Sequence, residues 1–323
     1  MATAENAKLQ YEAGQTSTAM SALTNSGDET TFTSAATLWS KRSGYTPVVR
    51  PNGLLTGGAI TPNASNDTVN VAALTLNLNG VVTSVSAGTA SVTRGVSTDT
   101  HNITSITINS SGAIAAVSGT DGTSFSETRG AAGGPPLIAV DSVEIGQVRT
   151  TSVSAAAVTS AEIFQVVGTH TERADYPLYN VNYGEGTVTF LAPLPEIHTG
   201  PATKAVYASY SAPIFTDVQL ASDFVPPETS NSVTSTQIYG TTLGATSSTL
   251  NQGSFTAYLE DGVSDGLVLL KNQDLWFKFY PDRYKSPYLL TQGKLGIART
   301  FPAGDNIQAA CTISATATAT EVN

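Results

Sequence analysis

Alternation of apolar and polar positions is clearest in the last third of the chain, residues 252–319. In QDLWFKFYPDR, Leu275, Phe277 and Phe279 fall on one face and Trp276, Lys278 and Tyr280 on the other. In GKLGIARTFPAGDNIQAACTISATATAT, Ile307, Ala309, Cys311 and Ile313 alternate with Gln308, Ala310, Thr312 and Ser314. A period of two is that of a strand with one set of side chains in a core and the other on an outer face. These strands carry little reactive chemistry, so their outer face reads as a surface for assembly rather than for catalysis.

The same kind of pattern runs through most of the chain. Short β-like runs at 30–33 and 45–50 precede the turn signals Pro51-Asn52-Gly53 and Gly57-Gly58. LTLNLNGVVTSVS (74–86) aligns with ITINSSGAIAAVS (106–118), and each copy is followed by Thr-Arg-Gly, at 93–95 and 128–130. Asn79-Gly80 and Ser111-Gly112 lie where a two-residue hairpin turn belongs, which predicts two stacked hairpins. Gly133-Gly134-Pro135-Pro136 reads as a linker closing that segment. Beyond it, LIAVDSVEIGQVRTTS, AEIFQVVGTHTE, LYNVNYGEGTVTFLAPLP and TKAVYASYSAP read as strands, with Gly184-Glu185-Gly186 as a hairpin turn. Pro226-Pro227 breaks the chain before TSTQIYG and SFTAYLEDG. Helix is expected only at 4–11 and 154–164. The fold class is mainly β, with antiparallel strands at spacings of about 8–12 residues.

Composition adds one constraint. Charged residues make up 12% of the 323 residues, about half the usual share, and Thr, Ser, Ala, Gly and Asn take their place. Two readings fit: a surface that faces other protein in the working state, or a soluble or secreted β-protein with a neutral polar surface. The net charge of −10 and the scattered Lys and Arg argue against direct nucleic-acid binding, which needs basic patches. A surface past which DNA must slide without sticking is compatible with that balance. Cys311 is the only cysteine, so no intrachain disulfide can form, and its inward position reads as a packed thiol. The opening MATAENAKLQYEAGQ lacks a basic segment followed by an apolar run, and no stretch reaches the roughly 18 apolar residues of a spanning helix. The expectation is a chain that stays in the cytosol where it is made, with no membrane partner.

Candidate chemistry is sparse. There is no G-x-S-x-G elbow and no H-x-x-x-H or C-x-x-C spacing. His101, His170 and His198 stand in turn or strand-end contexts and read as structural. Asp28-Glu29 and Glu260-Asp261 read as solvated acids, and Asp261-Gly262 and Asp265-Gly266 as hairpin turns. Trp39 and Trp276 are too few to stack a sugar chain. The sequence therefore predicts no enzyme, and no catalytic, cofactor-binding or metal-ligating residue.

At this point the C-terminal region resembles the major tail tube proteins of long-tailed bacterial viruses. The resemblance lies in order and pattern: QDLWFKFYPDR, then a connection, then a closing hairpin from about 296–301 through 302–306 to a return strand at 307–317. LASDFVPPETSNSVTSTQIYG and the N-terminal SALTNSGDETTFTSAATLWSKRSGYTP share the family's character. It implies a β-sandwich or barrel with a flanking helix, hexameric rings stacked into a tube, and a lumen through which viral DNA is ejected. It also implies a virion location after assembly in the host cytoplasm, with tail-tip, tape-measure and tail-terminator proteins as partners besides the chain itself. On this reading 1–55 is an N-terminal arm with the first core strands and 56–134 a repeat-bearing β-insertion on the tube exterior. Residues 135–323 are then the tube core, and several acids line the lumen. A virion decoration or receptor-binding β-protein is the alternative.

Overall fold

The computed structural model describes residues 5–323. Strands account for 52% of the residues and helix for 2%, so the protein is mainly β. All sheets pair their strands antiparallel, and none closes into a barrel. The chain forms two compact units. The first comprises residues 1–17, 38–46 and 210–323, and the second residues 18–37 and 47–209.

In the first unit the strands Ala221–Val225, Gly253–Tyr258, Gln308–Ala315, Tyr288–Thr300, Asp274–Tyr280, Lys8–Ala22 and Val206–Asp217 lie side by side in that order. Two of them, Lys8–Ala22 and Val206–Asp217, run on into residues of the second unit. The period-two pattern maps onto this sheet as expected. Leu275, Phe277, Leu295, Ile297, Ala309, Cys311 and Ile313 form one apolar core with Leu9, Tyr11, Phe255 and Ala257. Ala310, Thr312 and Ser314 stay exposed on the opposite face.

Trp276 departs from the expected outer face. It is buried, and its indole N–H donates to the Trp39 carbonyl at 2.9 Å. Trp39 is fully buried and stacks on Tyr210 with ring centroids 4.9 Å apart. Here Trp39 covers the second face of the sheet locally, at Trp276 and Tyr210. Glu12, also fully buried, accepts from the Trp276 backbone N–H and from Ser40 and Gln15, so its charge is met by three donors.

Both helices expected from sequence are absent. Within 4–11, Ala4 lies outside the described residues, and Lys8–Tyr11 pair with Phe277–Tyr280 as a strand. Leu9 and Tyr11 alternate into the core, and tertiary pairing overrides local propensity there. The 154–164 segment contains only a single 3-10 turn, Ser160–Glu162, followed by the strand Ile163–Phe164. Glu162 accepts from the backbone N–H and hydroxyl of Thr159, and this cap closes one turn without propagating a helix. The one α-helix among the described residues is a single turn, Gly266–Leu269. The resemblance implies a flanking helix, and no longer helix occurs among the described residues.

The second unit holds four small sheets, three of which share a separate core that includes Leu54, Ile60, Val71, Leu74, Leu76, Ile106, Ile108 and Ile145. Both copies of the repeat form hairpins and both feed this core. In the first, Leu78 pairs with Val81 across Asn79-Gly80, whose φ angles of 51° and 77° suit a tight primed turn. The second differs from expectation: Ile108 pairs with Ile114 across five residues. There the Asn109 carboxamide accepts from the backbone N–H groups of Ser111 and Ala113, replacing the two-residue turn by a side-chain-stitched loop.

Residue 134 does not end a module. The strand Asn102–Ile108 sits between Ile114–Ser118 and Val143–Thr150, so pairing crosses the Gly133-Gly134-Pro135-Pro136 run. All four of these residues are buried, and Gly133 donates its N–H to the Thr120 carbonyl. Residues 135–209 therefore group with 56–134 rather than with 210–323.

Replacing Trp39 by Ala should cost about 3–5 kcal/mol, since it removes a fully buried indole and its stacking partner's support. Denaturant titration of the variant against the native chain measures this.

Candidate functional site

The residues singled out from sequence fall into ordinary structural roles. Cys311 is 1% exposed, and burial pushes its thiol up to about 12. His101 packs edge-on against Phe125. The Nδ1 of His170 accepts from the Val166 N–H, and its Nε2 lies 3.2 Å from Arg149. His198 Nε2 donates to the Ser142 carbonyl, and its buried Nδ1 has no protein partner. Asp28 accepts the N–H groups of Thr30 and Thr31 and caps a turn.

Asp261 and Asp265 do not sit in hairpin turns, which is a correction. They stitch the loop between Gly253–Tyr258 and the short helix. Asp265 accepts from the N–H groups of Glu260 and Gly262, and Asp261 from those of Val263 and Ser264. The Ser264 hydroxyl, followed by the Val263 and Ser264 N–H groups, holds the Asp261 carboxyl below the usual range. Among the described residues, no cluster of three or more His, Cys, Asp or Glu could hold a metal ion, and no helix is long and apolar enough to cross a membrane.

What the sequence did not reveal is a charged cavity in the second unit. It has a volume of about 350 Å³ and is lined by Arg129, Glu144, Glu172, Arg173 and Lys204, with Tyr176 and the apolar Pro193, Leu194, Pro195 and Ile197. These charged residues lie far apart in sequence and converge through backbone pairing. Glu172 donates its N–H to the Glu144 carbonyl, and its carboxylate accepts the Glu144 N–H. Arg129 pairs with the buried Glu144. Lys204 donates to the carbonyls of Arg173 and Tyr176, at 2.8 and 2.6 Å. Gly168 has a φ of +79°, and an added Cβ would lie 2.2 Å from the Tyr176 ring, so only glycine lets that ring settle there.

Burial governs the titration of these groups. Glu172 is half-buried and lines the cavity. Desolvation pushes its carboxyl up to about 6, against the opposing pull of His198 and Lys204. The same cause brings the Lys204 ammonium down to about 8. Glu144 is likewise raised, desolvation outweighing Arg129.

A second feature lies in the first unit. The strands Thr229–Ile238 and Thr241–Leu250 pair over ten residues each as an isolated two-stranded hairpin. Every residue from 229 to 249 is exposed, and no charged residue occurs between Glu228 and Glu260. Val233, Ile238, Tyr239 and Leu243 stand out from it into solvent. Sequence reading found the first strand only in part and missed the second. Tyr239-Gly240 between two Thr-rich runs was the available signal.

Beside it, the outer face of Gly253–Tyr258, Tyr288–Thr300 and Gln308–Ala315 presents a row of small residues. Ser254, Thr312 and Gly296 are cross-strand neighbours, as are Thr256, Ala310 and Ala298. Lys294 is on this face with Asp274 of the next strand opposite it, and the three strands themselves place no carboxylate there.

Comparison with protein-family models, curated proteins and solved structures finds nothing that matches this chain.

Two outcomes test this geometry. Cys311 should resist thiol reagents at pH 8 in the native chain and react once the chain is denatured, because both burial and its raised pKa withhold the thiolate. The second concerns Glu172. Its folded pKa lies above the unfolded value, so its favourable contribution is complete below about 4.5 and is lost as pH rises through about 6. The loss amounts to about 2 kcal/mol. Thermal melts of Glu172→Gln and the native chain between these limits should show the native chain losing that much more stability on going to higher pH.

Proposed function

We propose that this chain is a structural subunit that polymerises with copies of itself, and that the polymer is the tail tube of a long-tailed bacterial virus. The observation that carries the first step is the uncharged, uncovered hairpin 229–250. A lone two-stranded ribbon is at best marginally stable in water. A long edge without Lys, Pro or an inward charge also lacks the usual protection against pairing with another chain. Such an arm suits a chain whose partner is a further copy: the neighbour supplies the cover that the subunit omits.

The second step rests on the resemblance in order and pattern of the C-terminal strands. The small-residue outer face supports it. A wall of Ser, Thr, Ala and Gly offers DNA phosphates little counter-charge, so a duplex can pass without being held. This modifies the expectation of an acid-lined bore, since on these strands neutrality rather than negative charge does the work. Heterologous contacts that do not close upon themselves yield filaments, and stacked rings need them between layers.

Electron microscopy of the concentrated native chain should show rings or hollow tubes of uniform width. Val233→Lys with Leu243→Lys places two unpaired charges on the arm. It should raise the concentration needed for polymerisation by about tenfold or more while leaving a folded monomer. A native chain that remains monomeric at high concentration would overturn the proposal in favour of a virion decoration protein. Equal polymerisation of the arm variant would remove the arm from it.

A further inference from the structure

The cavity of the second unit is lined by charged groups that keep hydrogen-bonding capacity for a ligand. Arg129 donates to Glu144 and to the Pro136 carbonyl. Arg173 is forked onto Asp175. Glu144 spends one oxygen on Arg129 and the other on Ser105 and Gln147. Two groups remain with capacity to spare.

Glu172 uses one carboxylate oxygen on the Glu144 N–H, and its other oxygen has no donor among the described residues. Lys204 places two N–H groups on carbonyls, whereas an ammonium has three. The two residues attract each other electrostatically but form no direct ion pair. Across from them Pro193, Leu194, Pro195 and Ile197 make an apolar wall, with Tyr176 against Gly168 beside it.

A volume of about 350 Å³ is within the range of small-molecule sites. A ligand with one charge would satisfy one of the two free groups and set a like charge near the other. A ligand with both charges meets both. We propose that this cavity binds a small zwitterion, a free α-amino acid with an apolar side chain. Its ammonium sits on Glu172, its carboxylate on Lys204, and its side chain against Pro193, Leu194 and Ile197. This goes beyond the assembly function and does not depend on it, since every lining residue belongs to one unit.

The test uses the full chain and three probes of similar size: L-phenylalanine, 2-phenylethylamine and 3-phenylpropionate. Calorimetric titration at about pH 7 lies between the titrations of Glu172 and Lys204. Phenylalanine should bind about tenfold or more tightly than either single-charge analogue. Its affinity should pass through a maximum between about pH 6 and about pH 8 and fall on both sides. The other titratable and charged groups facing this pair are Glu144, His198, Asp175, Arg129 and Arg173.

Glu172→Gln should weaken phenylalanine by about tenfold while leaving 3-phenylpropionate unharmed. Equal binding of an analogue, or saturation by none of the three, would overturn the proposal. Should the variant fail to fold, the analogue series on the native chain decides alone. Loss of polymerisation in other experiments would leave this result untouched, which separates the two proposals.

Discussion

The structure depends on one constraint: backbone N–H and C=O groups must be paired in sheets that stay open. Helix contributes a turn or so, and no sheet closes on itself. Each sheet therefore ends in strands with an unpaired side. A protein with ordinary charge density can guard such edges with lysine or glutamate. This chain, at 12% charged residues, has few to spend, and the arm at 229–250 has none. The paucity of charge and the uncovered ribbon are two aspects of one composition, in which Thr, Ser and Gly stand where charged residues would guard an edge.

The two units solve burial differently. The first relies on an apolar face completed by Leu9, Phe277, Leu295 and Ile313, with Trp39 and Trp276 closing part of the second face. Its one fully buried carboxylate, Glu12, is spent on structure. The second unit carries several partly compensated charges around a cavity. Glu144 is neutralised by Arg129, but the buried Lys204 and the half-buried Glu172 form no direct ion pair. Burying charge in this way is costly unless every lone pair and proton finds a partner.

Legibility followed the range of the interactions. The core positions Leu275, Phe277, Ala309, Cys311 and Ile313 could be read directly, because alternation is a local signal. Asn79-Gly80 could be read for the same reason. The segment at 154–164 looked helical from its alanines, yet it forms only one 3-10 turn before Ile163–Phe164 pair with Gln147 and Val148. Lys8–Tyr11 was misread likewise, since its partner strand lies some 270 residues away. The cavity was not legible at all. Arg129, Glu144, Glu172 and Lys204 share no spacing, and they meet only because Glu144 and Glu172 exchange backbone and side-chain hydrogen bonds.

By itself the sequence determined the β class, the inward faces of the C-terminal strands, both repeat hairpins and the scarcity of charge. Each is set by residues within a few positions of one another. Tertiary structure alone decided that the chain divides within the strands Lys8–Ala22 and Val206–Asp217 rather than at residues 55 and 134. It alone covered Trp276, left the 229–250 ribbon bare and enclosed the Glu172–Lys204 cavity. Those outcomes depend on which distant backbone groups pair, and pairing partners in antiparallel sheets are chosen by the whole chain's burial rather than by any local pattern.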